Sequence, residues 1–111
     1  MGLSNTSNNN AAAAGEFGSV FTDTTTALVA PAGKYFFSIT FLATSNKFES
    51  SGGLIATDSA KYMNTEAAAS AGGSGGQQVD ASNDFPAGLT IFGQWTTIDL
   101  NTGSVVAHLA S

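Results

Sequence analysis

The sequence has no cysteine and no arginine, only two prolines, and only three lysines among its 111 residues. Without cysteine there are no disulfide staples, thiolate metal sites or cysteine nucleophiles. A small secreted domain often relies on disulfides, whereas a protein assembled in a reducing cytoplasm cannot. Eight acids against three lysines give a net charge of −5. Phosphate backbones require Lys/Arg arrays, and Arg is the usual reader of base edges, so no nucleic-acid partner is expected. An anionic membrane surface is disfavoured for the same reason. No apolar run approaches the roughly 20 residues that span a bilayer. The N-terminus also lacks the basic region and apolar stretch of a signal peptide.

What is present is apolar and small. Hydrophobic residues make up 42% of the chain and charged residues 10%, too apolar a balance for a disordered polymer. The length sets one domain at most. Such a domain buries only about two-thirds of its unfolded surface, so oligomerisation is a common route to stabilising it. The poverty of charge fits two cases equally: a protein that covers much of its surface with other protein, or an ordinary β domain with a Ser/Thr-rich exterior.

Residues 1–15 form a polar arm of low complexity, Met1 to Asn10 followed by Ala11–Ala14 and Gly15. Asn and Ser compete with the backbone for hydrogen bonds, and four alanines are too few to hold a helix in water. Thr24 to Val29 favours a strand, and Pro31 to Gly33 a turn. Lys34 to Thr44 then alternates, with Tyr35, Phe37, Ile39 and Phe41 on one face. The two runs read as a hairpin. Asn46 to Thr65 reads as a loop with one short strand at Leu54–Ala56. The Gly/Ser/Ala-rich stretch at about 66–84, with Gly72–Gly76 inside it, has the composition of a flexible connector. Phe85 opens the last unit, with a strand starting at Pro86. Leu89 and Ile91 lie on one parity and Ile98 and Leu100 on the other, so either both faces are buried or a bulge near Gly93 resets the register. Asn101-Thr102-Gly103 reads as a hairpin turn before a final strand, Val105 to Ala110.

The expected architecture is therefore all-β: a small antiparallel β-sandwich or barrel-like domain over 16–111, with an extended N-terminal arm. Its hydrophobic face is expected to contain Tyr35, Phe37, Ile39, Phe41, Leu89, Ile91, Ile98, Leu100 and Leu109.

Reactive constellations are sparse. Gly2 with Thr6 fits a myristoylation pattern and Asn5-Thr6-Ser7 a glycosylation sequon, but both lie in a Ser/Thr-rich arm where short patterns arise by chance. Gly72 to Gly76 lacks the Gly-Lys-Ser/Thr ending of a phosphate loop, since the last lysine is Lys61. His108 is the single histidine. Ser104 and Asp99 are close to it in sequence, but no nucleophile elbow accompanies them. One histidine without further nitrogen or sulfur ligands does not make a zinc site. The acids are scattered, with no calcium-loop spacing. Neither enzymatic activity nor a metal or cofactor is expected. Trp95 reads first as core, with sugar stacking or anchoring of a subunit interface as the alternatives.

Phe85-Pro86-Ala87-Gly88-Leu89-Thr90-Ile91-Phe92-Gly93-Gln94-Trp95-Thr96-Thr97-Ile98, followed by Gly103-Ser104-Val105-Val106-Ala107, resembles the C-terminal signature of small structural proteins from tailed bacteriophages, cyanophages among them. Tyr35 to Leu42 and Asn64-Thr65-Glu66 are similar to the same pattern, so the resemblance spans roughly Gly33 to Ala110. Gln94 stands where that pattern carries Arg or Lys, and His108 where it carries Tyr. The resemblance implies a structural virion protein, foremost a capsid decoration or cement protein that binds the major capsid protein lattice. It also implies a homotrimer, placed on the capsid surface and assembled in the host cytoplasm. The alternative is a tail, neck or fibre component acting as a receptor- or glycan-binding module. A small hydrolase is a third class that no residue constellation supports. Candidate interface residues are Leu3 and Asn8 in the arm, Phe17, Trp95 and His108. The arm is expected to contact a neighbouring subunit.

Overall fold

The computed structural model describes residues 17–66 and 78–111. The arm, including Leu3 and Asn8, and most of the Gly/Ser/Ala-rich stretch lie outside these residues. The described chain is all-β, as expected, with eight strands: β1 (Ser19–Thr22), β2 (Leu28–Val29), β3 (Tyr35–Phe41), β4 (Lys47–Phe48), β5 (Leu54–Ala56), β6 (Thr90–Ile98), β7 (Leu100–Thr102) and β8 (Val105–Ala110). Six of them form a nearly closed, barrel-like antiparallel sheet in the order β1-β8-β3-β6-β2, with β5 also on β6. β4 and β7 form a separate two-stranded sheet.

β6 is the hub. Trp95 lies opposite Phe36 of β3 and also opposite Ala56 of β5, while Ile98 lies opposite both Leu28 of β2 and Leu54 of β5. A residue has one neighbour on each edge of its strand, so β3 and β2 share one edge of β6 and β5 takes the other. This explains why the expected hairpin between 24–29 and 34–44 does not form. The chain does turn at Pro31, with the Lys34 amide bonded to its carbonyl at 3.0 Å. Yet the turn lays β2 and β3 end to end along β6. Thr24 and Thr26 are outside the strand because their amides go to the hydroxyls of Thr22 and Thr24, a local bond that competes with the ladder.

The alternation of β3 is also corrected. Phe36 pairs with Leu109, but Ser38 pairs with His108, so Phe37 is an extra residue relative to β8. A bulge of this kind sends two successive side chains to one face. Phe36, Ile39 and Phe41 are buried, whereas Tyr35 and Phe37 are only half-buried. On β6 the register shifts opposite the same point, between Phe92 and Trp95, so of the two ways to resolve the parity conflict the chain takes the bulge near Gly93. A Cβ at Gly93 would sit 2.7 Å from the Trp95 ring. The bare backbone there is what lets the indole pack beneath its own strand.

Ile98, Leu100 and Leu109 are buried as expected, and Ile91 is half-buried. Leu89 is 39% exposed. It belongs to a turn in which Gly88 takes φ 86° and the Gly88 amide bonds to the Phe41 carbonyl, so β6 begins at Thr90 rather than at Pro86. Asn101–Gly103 is likewise not a hairpin turn. β7 pairs with β4, and β8 with β1 and β3. At Gly103, φ 105°, the chain crosses from the small sheet back to the large one.

Asn46 holds that crossing. Its side chain is fully buried. Its Nδ2 donates to the carbonyls of Ala43 (2.7 Å) and Phe85 (2.8 Å), and its Oδ1 accepts from the Ser104 amide at 3.0 Å. A Cβ at Gly103 would collide with this Oδ1. Phe41, Phe48 and Phe85 close the adjacent end of the core, with Phe41 stacked on Phe85 at 4.8 Å and both meeting Phe48 edge-on.

Candidate functional site

The strand ladders fix which side chains share the outer face of the large sheet. One row across β1, β8, β3 and β6 reads Ser19, His108, Ser38, Phe92, and the next reads Phe21, Val106, Thr40, Thr90. The row between them, Val20, Ala107, Ile39 and Ile91, points the other way, toward the core. Phe37, expelled from the core by the bulge, joins the outer face. None of these outer side chains carries a carboxylate or an ammonium group. Phe92 is 73% exposed and Phe21 58%. Leu42, the next outward position along β3, is exposed as well.

Within this face Phe37, Ser38, Thr40, Thr90, Phe92 and His108 line an open groove of about 310 Å³. Its floor is tied down by cross-strand bonds. The Thr40 and Thr90 hydroxyls are 2.8 Å apart, and Ser38 Oγ is 3.3 Å from His108 Nδ1. The Phe37 ring lies tilted against the imidazole, with centroids 6.3 Å apart.

The Ser38–His108 pair has the residue types of a nucleophile and base, but no carboxylate lines the groove to orient the imidazole. Ser104 and Asp99, the residues near His108 in sequence, do not converge on it. Ser104 lies four residues back along the chain, roughly 13 Å in an extended strand. Asp99 faces Glu49 instead. No group of three His, Asp or Glu side chains able to hold a metal occurs among the described residues.

The candidate residues separate cleanly. His108 lies in the groove. Phe17 is half-buried and packs against the core. Trp95 is core, as it first reads, and its place among the interface candidates is what is corrected: its side chain is fully buried, with Nε1 donating to the Met63 carbonyl at 2.8 Å, so it offers no surface to a partner or a sugar. Phe21, Leu42 and Phe92 were not singled out by sequence. Phe92 had one signal, its parity opposite to Leu89 and Ile91 in the run that opens the strand. Comparison with protein families, curated proteins and solved structures returns no match.

Asp99, which does not line this groove, gives the fold a pH dependence. Its Oδ1 is buried without a hydrogen-bond partner, and burial followed by the nearby Glu49 charge raises its pKa above the ordinary carboxylate value of 3.8. An acid whose folded-state pKa is raised costs stability when ionised, and that cost disappears as pH falls through the folded value toward the unfolded one. Asp99→Asn should therefore raise the urea midpoint at pH 7, with the gain shrinking toward zero near pH 4. Urea titrations of both proteins across that range measure it. A gain independent of pH would mean that the charge is not its source.

Proposed function

We propose that the chain is a structural virion protein, foremost a capsid decoration or cement protein that binds the major capsid protein lattice. The virion assignment rests on the resemblance of the Phe85–Ala107 segment to small tailed-phage structural proteins. The observation that supports a protein-contact role is the uncharged outer face with exposed Phe21, Phe92 and Leu42. Three large apolar side chains exposed on one uncharged face suit a protein contact, and depletion of charge is typical of the centre of a protein interface. The groove also supports a second reading, a glycan- or receptor-binding module of a tail or fibre, since an exposed phenyl ring beside hydroxyls suits a sugar face.

Copy number distinguishes the two. Quantitative mass spectrometry of purified particles should find the chain in proportion to the capsid lattice, and Phe92→Ser should lower its occupancy. A copy number matching a tail part transfers the assignment to the second reading, and absence from particles removes both. Deleting residues 1–15 from the same particles should weaken attachment if the arm reaches a neighbouring subunit. Unchanged occupancy and salt resistance would place the contact wholly on the β domain.

A further inference from the structure

We propose that the outer face binds a second copy of this chain about a twofold axis, with Phe21 of each copy seated in the groove of the other. The inference rests on reading this face as a protein-contact surface and names its partner.

Three features point to self-contact. First, the face carries a projection and a recess at different places. Phe21 stands on β1, and the groove runs over β8, β3 and β6, centred on β3 two strand spacings away, or roughly 10 Å. A surface whose projection fits its own recess is self-complementary under a twofold rotation, in which residue i meets j and j meets i. Because both lie on one face, two copies that meet there satisfy each other and the contact closes. A threefold ring needs projection and recess on different sides of the domain.

Second, the sizes agree. An apolar cavity of about 150 Å³ accepts a benzene ring, so a groove of about 310 Å³ takes one phenyl ring beside Phe92 and Phe37. Sheets stacked face to face lie about 10 Å apart, within the reach of interdigitating Phe side chains.

Third, charge selects the partner. The chain has net charge −5, so two copies repel wherever their acids oppose each other. This face opposes none, because its residues are uncharged hydroxyl, aliphatic, aromatic and imidazole groups. A cationic partner would gain nothing from it and would be drawn to the acids elsewhere. A face of four short strands is small for a specific interface, so the dimer is concentration-dependent.

Sedimentation equilibrium over the micromolar to sub-millimolar range tests this on the full chain. The wild type should fit a monomer–dimer equilibrium. Each substitution is present twice in a twofold dimer, so Phe21→Ser and Phe92→Ser should each raise the dissociation constant by roughly a hundredfold or more, the equivalent of two lost phenyl contacts. Both side chains are exposed, so the melting temperature of the dilute monomer should not fall. The absence of native cysteine allows a second readout. Under oxidation, Phe21→Cys mixed with Phe92→Cys should cross-link far better than either alone. A chain that stays monomeric, a trimer, or a dimer indifferent to both serines and without the mixed cross-link overturns the proposal. If Phe92→Ser nevertheless lowers particle occupancy, the face still contacts protein, and only its pairing with itself is lost. A dimer with no change in particle occupancy gives the opposite result.

Discussion

Asn46→Asp should destabilise the domain by about 3 kcal/mol or more, although it changes almost nothing in shape. The Asn46 amide donates to two carbonyls and accepts from one backbone amide inside a fully buried site. Leaving a buried polar group unpaired costs roughly 1–3 kcal/mol each. The aspartate keeps the acceptor toward Ser104 but turns both donors into oxygens facing the carbonyls of Ala43 and Phe85. Burial of that charge adds to the penalty. Asn46→Ala should cost a similar amount through three orphaned backbone groups and a cavity. Urea denaturation followed by far-UV circular dichroism measures both. An aspartate variant within about 1 kcal/mol of wild type, at the edge of what one ordinary hydrogen bond contributes, would mean that water substitutes for the amide. The buried network would then not be what holds β4, Phe85 and the start of β8 together.

Trp95→Ala is expected to be the second severe change, at about 3–5 kcal/mol. A domain of this size has about 5–15 kcal/mol in total, so much of the population should be unfolded at modest denaturant. The loss has three sources. The indole fills the centre of the core, its Nε1 satisfies the Met63 carbonyl, and its ring lies under the bare backbone of Gly93. Trp95→Phe should lose less, because it retains much of the apolar volume but leaves Met63 unpaired. Trp95 is the single tryptophan, so its emission also reports wild-type unfolding as a red shift. A small cost for Trp95→Ala, with the wild-type emission already solvent-like, would place the side chain outside the core.

The all-β class, the strand at Tyr35–Phe41, the short strand at Leu54–Ala56 and the final strand were legible because alternation and β-branched content are local properties. Partner choice was not. Nothing local in Thr24–Val29 says that it joins β6 rather than β3, and the Gly103 turn reads the same whether its flanks pair or separate. The Phe37 bulge reversed the face of one half of β3, because a single inserted residue flips every side chain before it. The Gly93 bulge could be inferred only because parity conflicted within one continuous run. The candidate face suffered most, since it is assembled from β1, β3, β6 and β8 across some ninety residues. Phe21 and Phe92 become neighbours of the groove only through that pairing order. Asn46 carried no signal, because a buried asparagine looks like any loop asparagine until its three partners are known.

The pairing of β1 with β8 has a consequence for synthesis. Ser19 meets His108, and Thr22 meets Val105, so the earliest described strand waits for the last. On the ribosome β3, with its buried aromatic residues, emerges long before either β6 or β8 can flank it. An unpaired, apolar strand edge in a growing chain is an aggregation hazard. Long-range pairing of this kind also slows folding. The interval between translation of β3 and release of β8 is therefore the stage at which chaperone capture should determine yield.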